Sequence, residues 1–393
     1  MKRRNLADHE IAPHGRVDVQ PERRKAPAET LFTAPFLWPL VATAAVGEMT
    51  AAFLNDFAGT LLHGNLRSGQ PNERAWTTPN RVALELQCMR LRDFSVGGSG
   101  VPTLICAPFA LHDATIADFA PGHSLVQTLC ASGLQRVHVT EWRSATPDMR
   151  LLSIDNYLSD LNVAIDEFGR VDLVGLCQGG WMALVYAARF PNKVRRLVLA
   201  GAPIDIAAGV SKVSQLAAEL PLSAFEEIVH LGDGRVLGQK MLELWAPALD
   251  TEDAQRILQL PEHLGVAKRR QILRRFERWC ATTVDLPGTY YLQVVRWLFK
   301  ENRIAEGRFD ALGRAVNLAD VRAPTFLFAA RDDELVAADQ LFATTDCIGT
   351  PRAQIETAIE PCGHLSLFLG ACTLSNSWAR IARWLLLEDL ADQ

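Results

Sequence analysis

The sequence predicts an α/β fold in which a mostly parallel sheet carries helices on both faces and is interrupted by a helical cap insertion. Short apolar runs alternate with amphipathic helical patterns over residues 101–200, and the same rhythm resumes at Thr325. Parallel strands that are buried on both faces are expected to be continuously apolar, as these runs are. Residues 206–320 between the two parts are mostly helical in pattern and contain no convincing strand.

The apolar runs and the helical periodicity locate the individual elements. The runs predict strands at residues 101–106, 137–142, 171–176, 194–200, 325–330 and 355–359. Apolar residues at spacings of three and four predict helices at residues 125–131, 154–168, 181–190 and 378–387. Gly133, Gly169 and Pro191 follow three of these helices and are typical stop signals.

Composition divides the chain into segments of different character. Residues 1–30 are rich in charge and proline and predict a disordered tail. Residues 31–80 predict an apolar or amphipathic helical segment followed by a linker. Residues 81–205 and 321–393 are expected to form the two parts of one α/β core. Residues 206–320 are expected to form a cap over the carboxyl edge of the sheet, where such sheets bind ligands.

The apolar stretch at residues 31–54 allows several interpretations. Pro35 and Pro39 interrupt its start and Glu48 interrupts the run, which disfavours a transmembrane helix. The run begins too far from the N-terminus for a signal peptide, and no clear cleavage site follows it. The segment is therefore interpreted as a helix packed on the domain or as a helix lying on an apolar surface, such as a lipid or polyester particle.

Charge and cysteine content restrict the functional classes. The net charge of −5 gives no electrostatic basis for a nucleic-acid partner. None of the eight cysteines forms a C-x-x-C pair, and their spacings match no zinc site. We therefore expect a reduced, cytoplasmic protein without a metal or other cofactor. The sequence also allows a homodimer.

The segment Gly175-Leu176-Cys177-Gln178-Gly179-Gly180 lies between a predicted strand and a predicted helix. This is the nucleophile elbow of the α/β-hydrolase fold, with cysteine in place of serine. Small residues must flank the nucleophile in this tight turn, and a helix N-terminus favours a thiolate. Cys177 is therefore the predicted nucleophile, and a structural cysteine in a glycine-rich turn is the alternative.

A thiol nucleophile needs a base and a residue that orients the base. In this fold the acid and then the histidine follow the nucleophile in the chain. His364 lies in the turn after the last predicted strand, whereas His230 and His263 lie in the helical insertion. Asp333 follows the preceding strand and is the predicted orienting acid, with Asp332 as the alternative.

The oxyanion hole requires two backbone N–H donors. The amide after the nucleophile, that of Gln178, is one candidate, and the loop after residue 106 supplies the other from Phe109 or Ala110. His112 is a candidate for substrate contact, although an exposed loop histidine is the favoured interpretation. Trp181 is a second candidate for substrate contact.

At these residues the chain resembles the family of polyhydroxyalkanoate synthases and intracellular polyhydroxybutyrate depolymerases, over about residues 81–387. The elbow is similar to the synthase G-x-C-x-G-G box, and Leu286-Pro287-Gly288 is similar to a synthase segment. The resemblance implies that Cys177 is acylated, that His364 activates it, and that Asp333 helps to activate the hydroxyl of the incoming chain. The loop containing Ala107-Pro108 and His112 is instead similar to the depolymerases.

The leading hypothesis is a synthase-like acyltransferase that uses (R)-3-hydroxyacyl-CoA thioesters, with CoA as part of the substrate. Exchange between a thiol and a thioester is close to energetically neutral, which suits a cysteine nucleophile. The alternatives are an intracellular polyester depolymerase with the same triad and a non-catalytic scaffold on polyester granules. The expected partners are thus an acyl thioester, a polyester granule, or both.

Overall fold

An eight-stranded sheet forms the centre of the part of the chain that the structure describes, residues 76–245 and 251–388 of a computed structural model. Its strands are β1 (Arg81–Glu85), β2 (Met89–Asp93), β3 (Thr103–Cys106), β4 (Val137–Trp142), β5 (Val171–Leu176), β6 (Val194–Ala200), β7 (Thr325–Ala330) and β8 (Ile355–Glu360). The spatial order is β1-β2-β4-β3-β5-β6-β7-β8. The first two strands form an antiparallel hairpin, β2 pairs antiparallel with β4, and every pair from β4 to β8 is parallel.

The observed sheet confirms the predicted α/β fold class and adds a hairpin that the sequence analysis did not identify. The bounds of β4, β5, β6 and β7 agree with the predicted runs, while β3 begins at Thr103 and β8 extends to Glu360. The hairpin was missed because its strands are not continuously apolar. β2 alternates buried and half-buried residues, as a strand near the sheet edge does.

Helices flank the sheet and fill the long insertion between β6 and β7. The α-helices are α1 (Leu125–Ala131), α2 (Ile154–Asp166), α3 (Gln178–Arg189), α4 (Lys212–Glu219), α5 (Leu222–Leu231), α6 (Gly238–Trp245), α7 (Thr251–Leu258), α8 (Val266–Ala281), α9 (Gly288–Val294), α10 (Ala338–Phe342), α11 (Thr344–Cys347), α12 (Ser366–Leu369), α13 (Ala371–Thr373) and α14 (Ala379–Leu385). Helix α3 begins three residues before the predicted start, directly after Cys177. A π-helical turn, Leu374–Trp378, precedes α14.

The insertion contains helices α4 to α9 and, contrary to the expectation of no strand, two short antiparallel pairs. Arg235–Val236 pairs with Leu286–Pro287, and Asp310–Ala311 pairs with Arg314–Ala315. Pairs of this length carry too little periodicity to be recognised in a sequence. The first pair joins segments of the insertion that are about fifty residues apart, whereas the second is a local hairpin.

Apolar side chains cover both faces of the sheet. On one face Tyr157 of α2 and Trp181 of α3 are completely buried, and on the other Phe328 of β7 packs against Trp378. Burying one such large side chain contributes roughly 1.5–3 kcal/mol, so both layers stabilise the sheet. The turn that follows β5 is consequently built on a well-packed support.

The apolar segment at residues 31–54 lies outside the described residues, as does the predicted tail at residues 1–30. Within residues 76–245 and 251–388, no helix is long and apolar enough to cross a membrane.

Candidate active site

Cys177 occupies a sharp turn between β5 and α3, at the carboxyl edge of the sheet. Its backbone has φ 48° and ψ −117°, a region that residues other than glycine seldom adopt. The turn is held by the N–H of Cys177, which donates to the carbonyl of Ala200 at 2.8 Å, and by the N–H of Gly180, which donates to the carbonyl of Cys177 at 2.9 Å. Such strain costs of order 1–3 kcal/mol and is characteristic of functional sites.

Close backbone contacts explain the glycines around Cys177. A Cβ atom at Gly179 would lie 2.1 Å from the carbonyl oxygen of Cys106, and one at Gly175 would lie 2.5 Å from the Cα of Gly180. Backbone atoms cannot move aside as a flexible side chain can. The elbow therefore packs against the end of β3 only when these positions lack a side chain.

His364 and Asp333 come from the loops that follow β8 and β7. These strands are parallel neighbours, so the loops after them lie side by side. Nδ1 of His364 is 2.6 Å from Oδ2 of Asp333, and the Asp333 side chain is only 1% exposed. The other carboxylate oxygen, Oδ1, accepts the backbone N–H groups of Leu335 and Val336, both at 2.9 Å. Asp332, the alternative acid, is exposed.

The electrostatic surroundings of His364 favour its charged form. Burial alone would lower the pKa of the imidazole, but the Asp333 carboxylate and the interaction with Cys177 raise it well above the usual value for histidine. A hydrogen bond between His364 and Cys177 contributes to this increase. The two histidines of the insertion, His230 and His263, are exposed and do not line this site.

A cavity of about 70 Å³ brings these groups together. Its walls are mainly apolar, and the polar residues that line it include Cys177, His364, His112 and Asp113. The lining residues are Pro108, Ala110, Leu111, His112, Asp113, Ile116, Cys177, Gln178, Pro203, Val213, Trp279, Phe299, Leu335, Val336, His364, Leu365 and Phe368. A thiol and an imidazole at one apolar cavity, with the Asp333 carboxylate bound to the imidazole, form an arrangement suited to acyl transfer.

The alpha/beta hydrolase fold family matches residues 132–371, which include the elbow, Asp333 and His364. The chain belongs to this family. Among curated relatives, the chain is 27% identical over 287 residues to the poly(3-hydroxyalkanoate) polymerase subunit PhaC of Synechocystis sp., covering 69% of this chain and 74% of that protein. It is 24% identical over 277 residues to the protein of the same name from Allochromatium vinosum, covering 69% and 76%.

Among solved structures, this α/β hydrolase is similar to the monoacylglycerol lipase of Paleococcus ferrophilus. The TM-score is 0.49 at 14% identity, covering 76% of this chain and 98% of that chain. The polymerase relatives and the hydrolase family together indicate an enzyme, either an acyltransferase or an ester hydrolase.

The two candidate residues in the loop after β3 have different surroundings. Ala110 lines the cavity, whereas the Phe109 ring turns into the core of the α/β hydrolase. This ring packs against Tyr157 and Tyr290, with centroid distances of 4.8 and 5.1 Å. Gln178, which follows the nucleophile, also lines the cavity. Ala110 and Gln178 are therefore the candidate positions that line the cavity.

His112 is buried, so the expectation of an exposed loop histidine is wrong. Its ring stacks on Trp279 of helix α8, with centroids 4.6 Å apart and planes inclined by 29°. Its Nδ1 atom lies 2.9 Å from the carbonyl oxygen of Thr282. The insertion folds back over this loop and buries it, and no local pattern in the sequence shows that contact.

Trp181 lies in the core rather than on the cavity wall, which corrects its prediction as a substrate-contacting residue. It is fully buried and packs near Phe309, with ring centroids 6.1 Å apart. Its Nε1–H donates to Oε1 of Gln178 at 2.7 Å. The two residues are one turn apart on the same side of helix α3, so the buried indole supports Gln178, which does line the cavity.

The sequence analysis did not assign Trp279, Asp113 or Tyr290 to the site. Trp279 and Asp113 line the cavity, and fully buried Tyr290 packs beneath the loop that carries Ala110. Within the described residues, no group of histidine, cysteine, aspartate and glutamate side chains could hold a metal ion. Every cysteine in the chain is free.

Proposed function

We propose that this α/β hydrolase is a synthase-like acyltransferase for (R)-3-hydroxyacyl-CoA thioesters, with Cys177, His364 and Asp333 as its catalytic triad. The observation that carries the proposal is the shared cavity of the strained Cys177 and the Asp333-bound His364. The polymerase names of several relatives support this substrate class.

The proposed reaction begins when the Cys177 thiolate attacks the thioester carbonyl carbon. The developing negative charge on oxygen is held by two backbone amides. One is that of Gln178, at the start of helix α3, and the other is that of Ala110, in the loop after β3. The bond to the CoA sulfur then breaks, and CoA takes the proton that His364 carries. Cys177 is left bearing the acyl group.

In the second step a hydroxyl oxygen of another hydroxyacyl chain attacks the acyl-enzyme. His364 accepts the hydroxyl proton as the new ester bond forms, and the Cys177 sulfur leaves as a thiolate. Asp333 holds the imidazole in the correct tautomer and stabilises its positive charge. The mainly apolar walls of the cavity suit a short aliphatic chain and leave little room for bulk water.

A polyester depolymerase is the second candidate function. It is favoured by the loop from Ala107 to His112, whose pattern is similar to the depolymerases and which borders the cavity through Pro108 and His112. In this case water replaces the chain hydroxyl in the second step, and a soluble hydroxy acid is released.

The experiment incubates the full chain with (R)-3-hydroxybutyryl-CoA. It follows CoA release with a thiol reagent, polymer growth by light scattering, and the protein mass by intact mass spectrometry. We expect CoA release, polymer, and an enzyme heavier by hydroxybutyryl units attached at Cys177. Cys177→Ala should abolish all three signals, whereas Cys372→Ala, at an exposed free cysteine, is the matched control and should change none.

Amorphous polyhydroxybutyrate granules provide the second arm of the experiment. Soluble 3-hydroxybutyrate from granules without CoA release from the thioester would establish the depolymerase instead. Granule association by both wild type and Cys177→Ala, with no turnover of either substrate, would overturn both enzymatic functions and favour the scaffold.

A further inference from the structure

The loop that carries Ala110, residues 107–113, is fixed to the core at its first end. The Ala107 N–H donates to Oγ1 of Thr140 at 3.0 Å, and the indole Nε1–H of Trp142 donates to the Ala107 carbonyl at 2.7 Å. Phe109 then packs its ring against both Tyr157 and Tyr290, which also contact each other. These contacts anchor the loop to β4 and the core.

The second end of the same loop is fixed to the insertion. The backbone N–H of Val284 donates to the Leu111 carbonyl at 2.9 Å. Nδ1 of His112 lies 2.9 Å from the Thr282 carbonyl oxygen, which can only accept, so Nδ1 is the donor. The His112 ring also stacks on Trp279, in the last turn of helix α8. Residues 279–284 thus hold the loop from the cap side.

Ala110 lies between these anchors, one residue after Phe109 and two before His112. Any movement of the α8 C-terminus that carries Thr282 and Trp279 along must pull His112 with it. Phe109 is fixed in the core, so the backbone between Phe109 and His112 must move instead. Ala110 lies in that short stretch. A displacement of about 1 Å at a catalytic donor can reduce the rate about a hundredfold.

We propose that His112 is a positioning residue, which aligns the Ala110 amide with the oxyanion only when the end of helix α8 is seated against the loop. This inference rests on the proposed function, because it assigns Ala110 to the oxyanion hole. Burial lowers the pKa of His112, so the imidazole is neutral at neutral pH and can carry its single proton on Nδ1. Contact between the end of helix α8 and the loop would then also complete the oxyanion hole.

Paired substitutions at His112 and at Trp279 separate the hydrogen bond and the ring stacking from the bulk of each side chain. His112→Asn places an amide donor close to the Nδ1 position and can restore the bond to Thr282, whereas His112→Gln places its polar group farther out and cannot. Trp279→Phe keeps an aromatic ring for stacking, and Trp279→Leu removes it. Gln271→Ala, an exposed position on the same helix α8, is the matched control.

The experiment measures kcat and KM for (R)-3-hydroxybutyryl-CoA and for a p-nitrophenyl ester, which reports acyl transfer independently of CoA. We expect His112→Gln and Trp279→Leu to lower kcat by about ten- to a hundredfold with KM nearly unchanged, the signature of a lost transition-state contact. His112→Asn and Trp279→Phe should recover most of that loss, and Gln271→Ala should match wild type.

Hydrogen exchange gives a readout that does not depend on turnover. In His112→Gln the amide of Val284 and those of residues 107–113 should exchange faster, while those of α3 stay as in wild type. Unchanged kcat in His112→Gln, or equal losses in the Gln and Asn variants, would overturn the proposal. If wild type turns over neither substrate, the proposed function fails. Faster exchange of the Val284 amide in His112→Gln than in wild type would still establish that His112 links the cap to the loop.

Discussion

Nδ1 of His364 and Oδ2 of Asp333 are separated by 2.6 Å, and the other oxygen of the same carboxylate is occupied by the N–H groups of Leu335 and Val336. The carboxylate therefore cannot rotate without losing backbone hydrogen bonds. It accepts a hydrogen bond from Nδ1–H of the imidazole, so Nε2 is left free to act as the base in the proposed mechanism.

Asp333→Asn should remove this control of the tautomer. The amide oxygen would remain with the backbone donors, and the amide nitrogen would then donate to Nδ1, forcing the proton of neutral His364 onto Nε2. We expect kcat to fall by about 10³- to 10⁴-fold, as when an orienting aspartate is replaced in a serine triad. Steady-state kinetics measure the loss, and Asp332→Asn, an exposed neighbour, is the control. Equal losses in both variants would contradict the assignment.

The raised pKa of His364 predicts how stability changes with pH. Burial opposes protonation, but Asp333 and Cys177 raise the folded-state pKa well above the unfolded value of about 6.5. The stabilisation is therefore complete below about pH 6.5 and is lost as the pH rises through the folded-state pKa. Cys177→Ala removes one of the interactions that raise the pKa of His364. In this variant the stabilisation should therefore begin to be lost at a lower pH than in wild type. Urea unfolding from about pH 6 to about pH 9.5 measures both curves, and coincident curves would show that Cys177 does not act on His364.

The buried parallel strands and the turns after them could be predicted from the sequence because each depends on local chemistry. The largely apolar run before Gly175 and the placement of Asp333 and His364 after their strands are properties of adjacent residues. The burial of His112 could not be predicted, because it depends on helix α8, which lies far along the chain and folds back over the loop. Trp181 was misplaced because the layer that buries it includes Phe309, which lies far along the chain in the insertion.

Gly179→Ala should test the close approach of the elbow to the loop after β3. The added Cβ would lie 2.1 Å from the Cys106 carbonyl oxygen and 2.7 Å from that of Ala107, and both are backbone atoms. Overpacking usually costs about 1–3 kcal/mol, and contacts this short should bring the free energy of unfolding down by at least that amount. Denaturant unfolding measures the change. Gly98→Ala, where an added Cβ meets nothing within 4 Å, should change stability by less than about 0.5 kcal/mol.

Trp181→Phe should reveal the support that the indole gives to the residue beside the nucleophile. The variant keeps an aromatic ring in the core but leaves Oε1 of Gln178 without its 2.7 Å donor. An unsatisfied buried acceptor costs about 1–3 kcal/mol, so we expect a loss of stability in that range. Gln178→Met removes the acceptor, and in the double variant the loss should be smaller than the sum of the single losses, with a coupling energy of about 0.5–3 kcal/mol. Additive losses would show that the indole acts through its bulk alone, so the cycle separates the hydrogen bond from packing.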